Sequence, residues 1–422
     1  MESDRPAFVC HECGTLHGVR RLPSGITALC RTCGAPLYRQ RKDTAVRALA
    51  LTVAALILFV VAHTFPFMTF SMEGNATTAT ILGSAFALYR GGIWPLAAVV
   101  FAMASLFPLL KLLLNLYTLL PLATGWRAPG THRIFAAAAR LRTWAMTEVY
   151  LLGVIVAYVK LSDLATLTVG PALWAFGLLI VCMAAADNVL DPRAVWWRIA
   201  PQNRLRSLLA KGQPLAACHV CAQVVPLPAG AHGAGCPRCG AALHDRKPDA
   251  LARTWALCLA AAALYIPANV LPVMTVTSFG RGESDTILSG VVTLIEAGMW
   301  PIAALVFFAS ITVPVLKLVG LFYLLLSVQL GWHARPRERT RLYRVIEQIG
   351  RWSMIDIFMI AILAVLVDLG EIARIEPGAG ALAFAGVVIL TMLASASFEP
   401  RLIWDNERNR HGKLRPAVQA DG

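Results

Sequence analysis

Charge is what this chain has least of. Asp, Glu, Lys and Arg make up 15% of its 422 residues, against 57% hydrophobic, whereas a water-soluble domain carries about 25% charged residues. That shortage excludes an ordinary soluble globular protein. Mean hydropathy is +0.63, and the apolar residues fall in runs long enough to cross a bilayer. Enzyme signatures are missing as well. There is no G-x-x-x-x-G-K-[ST] phosphate loop, G-x-S-x-G elbow, H-E-x-x-H or dinucleotide fingerprint, so nothing points to a nucleotide-driven pump or a soluble-type hydrolase. A signal-peptide pattern is not expected either, because a mostly polar stretch carrying four cysteines precedes the first apolar run. The formal net charge of +14 is read as a record of membrane orientation, and no nucleic-acid partner is expected.

What is present is a duplication. Cys10 and Cys13 recur as Cys218 and Cys221 at an offset of 208. The offset is 206 for Pro66/Pro272, Trp94/Trp300, Pro108/Pro314 and Lys111/Lys317, then 208 again for Trp144/Trp352, Met146/Met354, Glu148/Asp356 and Trp196/Trp404. Each half is one cysteine module followed by one membrane module. Four apolar segments per half are expected as spans: 46–66, 93–120, 144–164 and 170–190, then 250–273, 299–328, 352–369 and 379–397. The runs after Pro66 and Pro272 mix β-branched residues with Gly and Ser, and read as small extended elements on the far surface.

Every Lys and Arg except Arg90, Lys111, Lys160, Arg281, Lys317 and Arg374 falls in the N-terminal module, at the very start of the first span as Arg47, in the 121–143 loop, the 191–253 region, the 329–351 loop or the C-terminal tail. With an even number of crossings per half, this bias places both cysteine modules and both termini in the cytoplasm, and makes the repeats parallel. The expected fold is therefore mostly α and polytopic: two tandem repeats, each a small β zinc ribbon followed by a four-helix transmembrane module, about eight spans in all. Its divisions are ribbon 1 (1–45), membrane module 1 (46–192), linker and ribbon 2 (193–248), membrane module 2 (249–398) and a basic tail (399–422).

Cys10, Cys13, Cys30 and Cys33 form one C-x2-C pair of pairs, and Cys218, Cys221, Cys236 and Cys239 form its copy. Four thiolates in tetrahedral array suit Zn²⁺ and leave no open position for substrate, so two structural zinc ions are expected, with a redox dithiol or an iron centre as the alternative. His11 and His219, inside the knuckles, read as neighbours rather than ligands. Cys182 and Cys258 read as small buried hydrophobes.

Lys111 and Lys317 stand at equivalent places within apolar spans, each three residues after a proline. A lysine there costs at least ~2.5 kcal/mol, which makes it a candidate functional residue. Glu148 and Asp356 are the expected counter-charges, pairing as Lys111 with Glu148 and Lys317 with Asp356. Ser310 and Ser353 share helix faces with Lys317 and Asp356, and Thr391 lies in the last span. Their first-repeat counterparts are Ala104, Ala145 and Met183, so the active polar network is expected in the second repeat. Asp163 is a further candidate at the distal end of the third span. The competing reading has the lysines snorkel to an interface while the carboxylates cap helix starts.

The paired knuckles CHEC/CRTC and CHVC/CPRC, the P-x-x-K elements and the W-x-M-x-[ED] span starts together resemble the paraquat-inducible protein A family over nearly the whole chain. The resemblance implies a non-enzymatic inner-membrane subunit of Gram-negative bacteria. It implies partnership with a periplasmic MCE-domain protein, a hexameric tunnel, in moving phospholipid between membranes. Two other classes remain: a membrane thiol or quinone redox protein using the C-x2-C pairs, and a stand-alone proton-coupled transporter of small solutes. The first fits poorly, since the cysteines are expected in the reducing cytoplasm.

Overall fold

The computed structural model of the chain describes all residues other than 1–6, 19–21, 24, 40–43, 73–74, 127, 143, 162–165, 200–214, 227–232, 245, 279–280, 333, 351, 368–372 and 406–422. The first repeat opens with four short strands, β1 (Ala7–Val9), β2 (Leu16–Gly18), β3 (Thr27–Leu29) and β4 (Pro36–Arg39), paired as two antiparallel hairpins. Then come α1 (Thr44–Thr64), β5 (Met68–Met72), β6 (Asn75–Ala79), α2 (Ile81–Arg90), α3 (Trp94–Phe101), α4 (Phe107–Thr124), α5 (Thr131–Leu141), α6 (Thr147–Leu161), β7 (Thr166–Val169), α7 (Pro171–Val189) and α8 (Pro192–Ile199). The second repeat retraces this order. Its elements are β8 (Leu215–Ala217), β9 (Val224–Pro226), α9 (Ala250–Val270), β10 (Met274–Ser278), β11 (Arg281–Asp285), α10 (Ile287–Glu296), α11 (Trp300–Phe307), α12 (Val313–Gln329), α13 (Pro336–Ile349), α14 (Ile355–Leu366), β12 (Ala373–Pro377) and α15 (Ala379–Ser397).

In each repeat the first and last long helices pack together, α1 on α7 and α9 on α15. At their ends remote from the ribbons, the hairpins after Pro66 and Pro272 gain a third strand from the α6–α7 and α14–α15 connections, giving the sheet orders β6-β5-β7 and β11-β10-β12. The hairpins match the sequence expectation; the third strands were not expected. Gly170 and Gly378 permit the return into the last helix. A Cβ there would lie 2.1 Å from the Pro66 carbonyl oxygen and 2.2 Å from that of Pro272, so no larger residue fits.

The long second spans carry a π turn, Ala102–Leu106 between α3 and α4 and Phe308–Thr312 between α11 and α12. Each turn ends beside a proline, Pro108 or Pro314, at the second residue of the following helix. Proline has no N–H to give to the preceding turn, and the wider turn absorbs that missing bond without ending the helix. A polar side chain from the first helix of each repeat touches each turn. His63 Nε2 lies 3.0 Å from Ser105 Oγ, and the Tyr265 hydroxyl donates to the Ile311 carbonyl at 3.4 Å.

Among the described residues, seven helical runs are long and apolar enough to cross a membrane: Thr44–Thr64, Trp94–Thr124, Pro171–Val189, Ala250–Val270, Trp300–Gln329, Pro336–Leu366 and Ala379–Asp405. The span expected over 144–164 is not among the seven, and the one over 352–369 falls in the last part of the Pro336–Leu366 run. They appear as α6 and α14, of 15 and 12 residues. At 1.5 Å per residue these reach only about 22 and 18 Å, short of the ~30 Å hydrocarbon core. The physical reason is their position. They pack against each other at the join between the repeats, and all of α14 but Val365 is buried. A helix covered by protein need not match the thickness of lipid. Gly153 makes the close approach possible, since a Cβ there would meet the Phe358 Cβ at 2.9 Å and the Met359 nitrogen at 3.2 Å. Van der Waals packing of this kind holds helices together where no water remains to be expelled.

The 121–143 and 329–351 loops also contain structure that was not expected, the amphipathic helices α5 and α13. These helices help seat the ribbons, and the seating is crossed. Ribbon 1 packs through Phe8, Ala35 and Leu37 onto second-repeat residues that include Leu325, Tyr343 and Trp404. Ribbon 2 packs through Val220, Ala241 and Leu243 onto Leu119, Phe135 and Trp196 of the first. Leu119/Leu325, Phe135/Tyr343 and Trp196/Trp404 are equivalent pairs, so each ribbon occupies the same seat on the opposite module.

Candidate metal centres and the intramembrane polar site

In both ribbons the four sulfurs lie within 4.8 Å of one another, and all eight cysteines are buried. Sγ–Sγ separations are 3.5 Å for Cys10–Cys33, Cys13–Cys30 and Cys218–Cys239, and 3.6 Å for Cys221–Cys236. A tetrahedron with metal–sulfur bonds of ~2.3 Å has edges of about 3.8 Å, so both sets can hold a metal ion. Each knuckle is closed by backbone bonds: Gly14 and Gly34 donate to the Cys10 and Cys30 carbonyls at 2.9 and 2.8 Å, and Ala222 and Gly240 repeat the pattern on Cys218 and Cys236. The closing residue is left-handed, at φ 71°, 72°, 56° and 74°. Ala222 is the one non-glycine of the four, in a conformation that crowds its Cβ.

The flanking histidines stay outside both ligand sets. His17 Nε2 lies 3.3 Å from Cys30 Sγ, close enough to hydrogen-bond a thiolate and hold part of its charge. Ribbon 1 is tied down by Glu12, which accepts from both ends of the Arg344 guanidinium, by Nε at 2.7 Å and by Nη2. Burial pushes the Glu12 carboxyl up, but hydrogen bonds from His11 and Arg344 outweigh it and hold the group below the ordinary carboxylate range. Arg193 sits between Phe8, 3.8 Å below its guanidinium, and Tyr38 at 5.2 Å, and donates to the Leu37 carbonyl. Burial holds its guanidinium down to about 10.

Both expected intramembrane ion pairs are corrected. Lys111, on α4 and 5% exposed, donates to Asp187 Oδ2 on α7 at 2.7 Å; Glu148 is exposed at the start of α6. Asp187 takes the place expected for Glu148 because α4 and α7 both pack on α1, which brings Asp187 to the lysine. Lys317, on α12 and 3% exposed, has no hydrogen-bond partner for its Nζ among the described residues. Asp356, 6% exposed in the first turn of α14, instead accepts a hydrogen bond from Ser310 in the π turn. Ser353, in the short Trp352–Met354 turn, is buried with no partner for its hydroxyl, and Thr391 bonds the Val388 carbonyl of its own helix at 3.0 Å. Asp163 lies outside the described residues.

Two differences explain why the lysines part ways. The position equivalent to Asp187 is Ser395, which removes the carboxylate that Lys111 uses. The position equivalent to Arg142 is Gly350, and the Lys317 ammonium lies against it: a Cβ on Gly350 would be 2.6 Å from Nζ and 3.0 Å from Cε. Gly350 caps the carbonyl end of α13, the end of a helix that favours a cation. Sequence reasoning passed over Asp187, although an acidic residue in the apolar run AAADNVL was itself a signal. Nothing in the sequence singled out Gly350.

Ser310 and Asp356 border a small cavity of ≈ 50 Å³ beneath α10. Its walls are otherwise almost wholly apolar, with Val156, Val306, Met359 and Phe384 among them, and Asp285 and Thr286 lie on its sheet side. The first repeat has its gap on the other face. There α2 packs down on α14, with Thr77 donating to the Leu366 carbonyl at 2.6 Å, and an open apolar groove runs outside α2 and α3 between Phe86, Trp94 and Phe101.

Comparison with known proteins agrees with the duplication. The family model described as Paraquat-inducible protein A matches residues 46–200 and again 251–407. Intermembrane transport protein PqiA of Escherichia coli (strain K12) is 36% identical over 410 residues, 95% of this chain and 96% of that protein. Lipophilic envelope-spanning tunnel protein A of the same organism is 30% identical over 412 residues, 96% and 92% of the two chains. A probable intermembrane transport protein of Haemophilus influenzae is 28% identical over 400 residues, covering 94% and 95%. No solved structure matches the chain. With both modules matched and full-length relatives on either side of one-third identity, the chain belongs to the paraquat-inducible protein A family.

Proposed function

We propose that this chain is the integral inner-membrane subunit of an MCE-type lipid transport system, passing phospholipid between the inner membrane and a hexameric MCE-domain tunnel in the periplasm, with protons coupled through the second-repeat polar residues. The observation that carries the reading is the small apolar cavity with Asp356 and Ser310, an intramembrane carboxylate and its hydrogen-bond donor, on its border. Its walls are apolar, as contact with an acyl chain requires, and it has a titratable group where a transport cycle needs one. An ionisable side chain within a span is retained at a cost and marks a pathway or a proton relay. The relatives' names as intermembrane transport proteins support the same direction.

In this reading α6 and α14 are shortened central crossings, which brings the count to eight and leaves both ribbons and both termini in the cytoplasm. Cys10, Cys13, Cys30 and Cys33 hold one zinc, and Cys218, Cys221, Cys236 and Cys239 the other. A four-thiolate shell gives each ion a structural role, fixing knuckles too small to fold by burial alone. Lys317, Asp356, Ser310, Ser353 and Thr391 form the working network, with Lys111, Glu148 and Asp163 in lesser roles. No bond-making chemistry is assigned.

The test is complementation of a strain lacking this chain. Lys317→Ala and Asp356→Ala abolish lipid transport at wild-type abundance and zinc content, while Ser310→Ala, Ser353→Ala and Thr391→Ala give intermediate defects. Full complementation by both Lys317→Ala and Asp356→Ala refutes the coupling.

A further inference from the structure

The two repeats hold one lysine fast and leave its counterpart loose, and the cause is on two residues. Lys111 is fixed by Asp187 at 2.7 Å, next to a helix end where position 142 is arginine. Lys317 meets Ser395 and Gly350 at those positions. Ser395 is buried, donates its hydroxyl to the Met392 carbonyl at 2.9 Å and makes no hydrogen bond with the ammonium. Gly350 opens a space that any side chain would fill, and the ammonium occupies it without a hydrogen bond.

We infer that Gly350 and Ser395 are positioning residues that give Lys317 two places to stand, one parked against Gly350 and one engaged with Asp356. This rests on the transport reading above and deepens it. A coupled transporter needs a site with two arrangements that a ligand or proton can bias. The parked arrangement is the one in this structure: Lys317 lies at the carbonyl end of α13, and Asp356 accepts from Ser310. Gly350 and Asp356 stand six positions apart, so the same short segment carries both stations. The titratable neighbour bearing on the lysine among the described residues is Cys258 of α9. Restoring the first-repeat residues removes one station each: a carboxylate at 395 captures the ammonium, and a Cβ at 350 evicts it towards Asp356.

The experiment uses the full-length chain, by complementation and by cryo-EM in phospholipid nanodiscs. Ser395→Asp is compared with Ser395→Asn, equal in size and uncharged, and with Gly350→Ala. Complementation is expected at least about tenfold lower for Ser395→Asp than for Ser395→Asn at equal abundance, with Lys317 on the introduced carboxylate, as capture of a buried lysine by an opposite charge demands. Gly350→Ala should show Lys317 beside Asp356, again with transport lost. Equal complementation by Ser395→Asp and Ser395→Asn, whether both work or both fail, overturns the inference. So does a map in which Lys317 keeps its place in Gly350→Ala. Lys317→Ala separates the two claims. If it abolishes transport while Ser395→Asp and Gly350→Ala do not, the transport reading stands and the two-station inference falls. If it complements fully, the transport reading falls, and the maps alone judge the lysine's positions.

Discussion

The first repeat spends its buried lysine on a closed ion pair and packs α2 down onto the centre of the molecule; the second keeps its lysine unpaired and holds a cavity beneath α10. From their first long helix to their last, the two share the same order of helices and sheet strands. What separates them is a few side chains: Asp187 against Ser395, Arg142 against Gly350, Ala104 against Ser310. A duplicated fold can thus assign scaffolding to one copy and movement to the other without changing its topology. A closed buried pair resists change, since breaking it strands a charge; a lysine without a hydrogen-bond partner has no such bond to lose by moving.

The largest effect that would sharpen this comparison lies outside the membrane. Cys10→Ser and Cys218→Ser should each lower bound zinc from about two ions to one per chain by the ligand count and remove most of a folding contribution on the order of 10 kcal/mol. Because the ribbons are crossed, Cys10→Ser should make α13 of the second repeat susceptible to limited proteolysis, and Cys218→Ser should do so for α5 of the first. Elemental analysis and fragment mapping read both, and damage confined to the ribbon's own repeat would contradict the crossed seating.

Next comes the join. Gly153→Val forces a side chain onto the Phe358 Cβ and should cost about 3 kcal/mol, the upper end for overpacking, seen as a lower melting temperature in detergent and as a loss of transport despite an intact second-repeat network. Normal melting would mean that the two repeats are not rigidly joined through α6 and α14. Lys111→Ala should cost about 2 kcal/mol, below the usual figure for a broken buried pair because Asp187 is 30% exposed. Its signature is lower abundance with near-normal transport per molecule, the reverse of Lys317→Ala. Equal transport defects in the two variants would erase the division of labour. The smallest effect is Ala222→Gly, which relieves a left-handed alanine by up to about 1 kcal/mol and should slow zinc loss from ribbon 2 to a chelator. No change there would mean that the knuckle tolerates its alanine without strain.

Much of this was legible in the sequence. The offset repeats gave the duplication, the cysteine spacing gave both four-sulfur sets, and the intramembrane charges marked Lys111, Lys317 and Asp356. What could not be read was who faces whom. Pairing was inferred from neighbouring spans, yet Lys111 found its partner two spans on, because packing of α4 beside α1 and α7 is a tertiary fact. That α6 and α14 are short was hidden for a similar reason. Hydropathy reports what lipid would tolerate, and a helix shielded by protein is apolar without needing to be long. The amphipathic α5 and α13 were hidden in stretches whose arginines read as loop charge. Gly350 left no trace at all, since the absence of a side chain matters only once a lysine is seen to lie where that side chain would be.

The crossed seating of the ribbons also bears on where such a chain comes from. A single half, translated alone, would carry a ribbon with no seat of its own and a seat with no ribbon. Two such halves satisfy each other, each lending its ribbon to its neighbour, which is the arrangement of a two-fold homodimer with exchanged domains. Joining the copies end to end preserves every one of those contacts while freeing each half to drift. Leu119 and Leu325, or Trp196 and Trp404, would then be the remains of one interface seen twice, and the divergence of the lysine sites what a fused pair can accumulate that a symmetric dimer cannot.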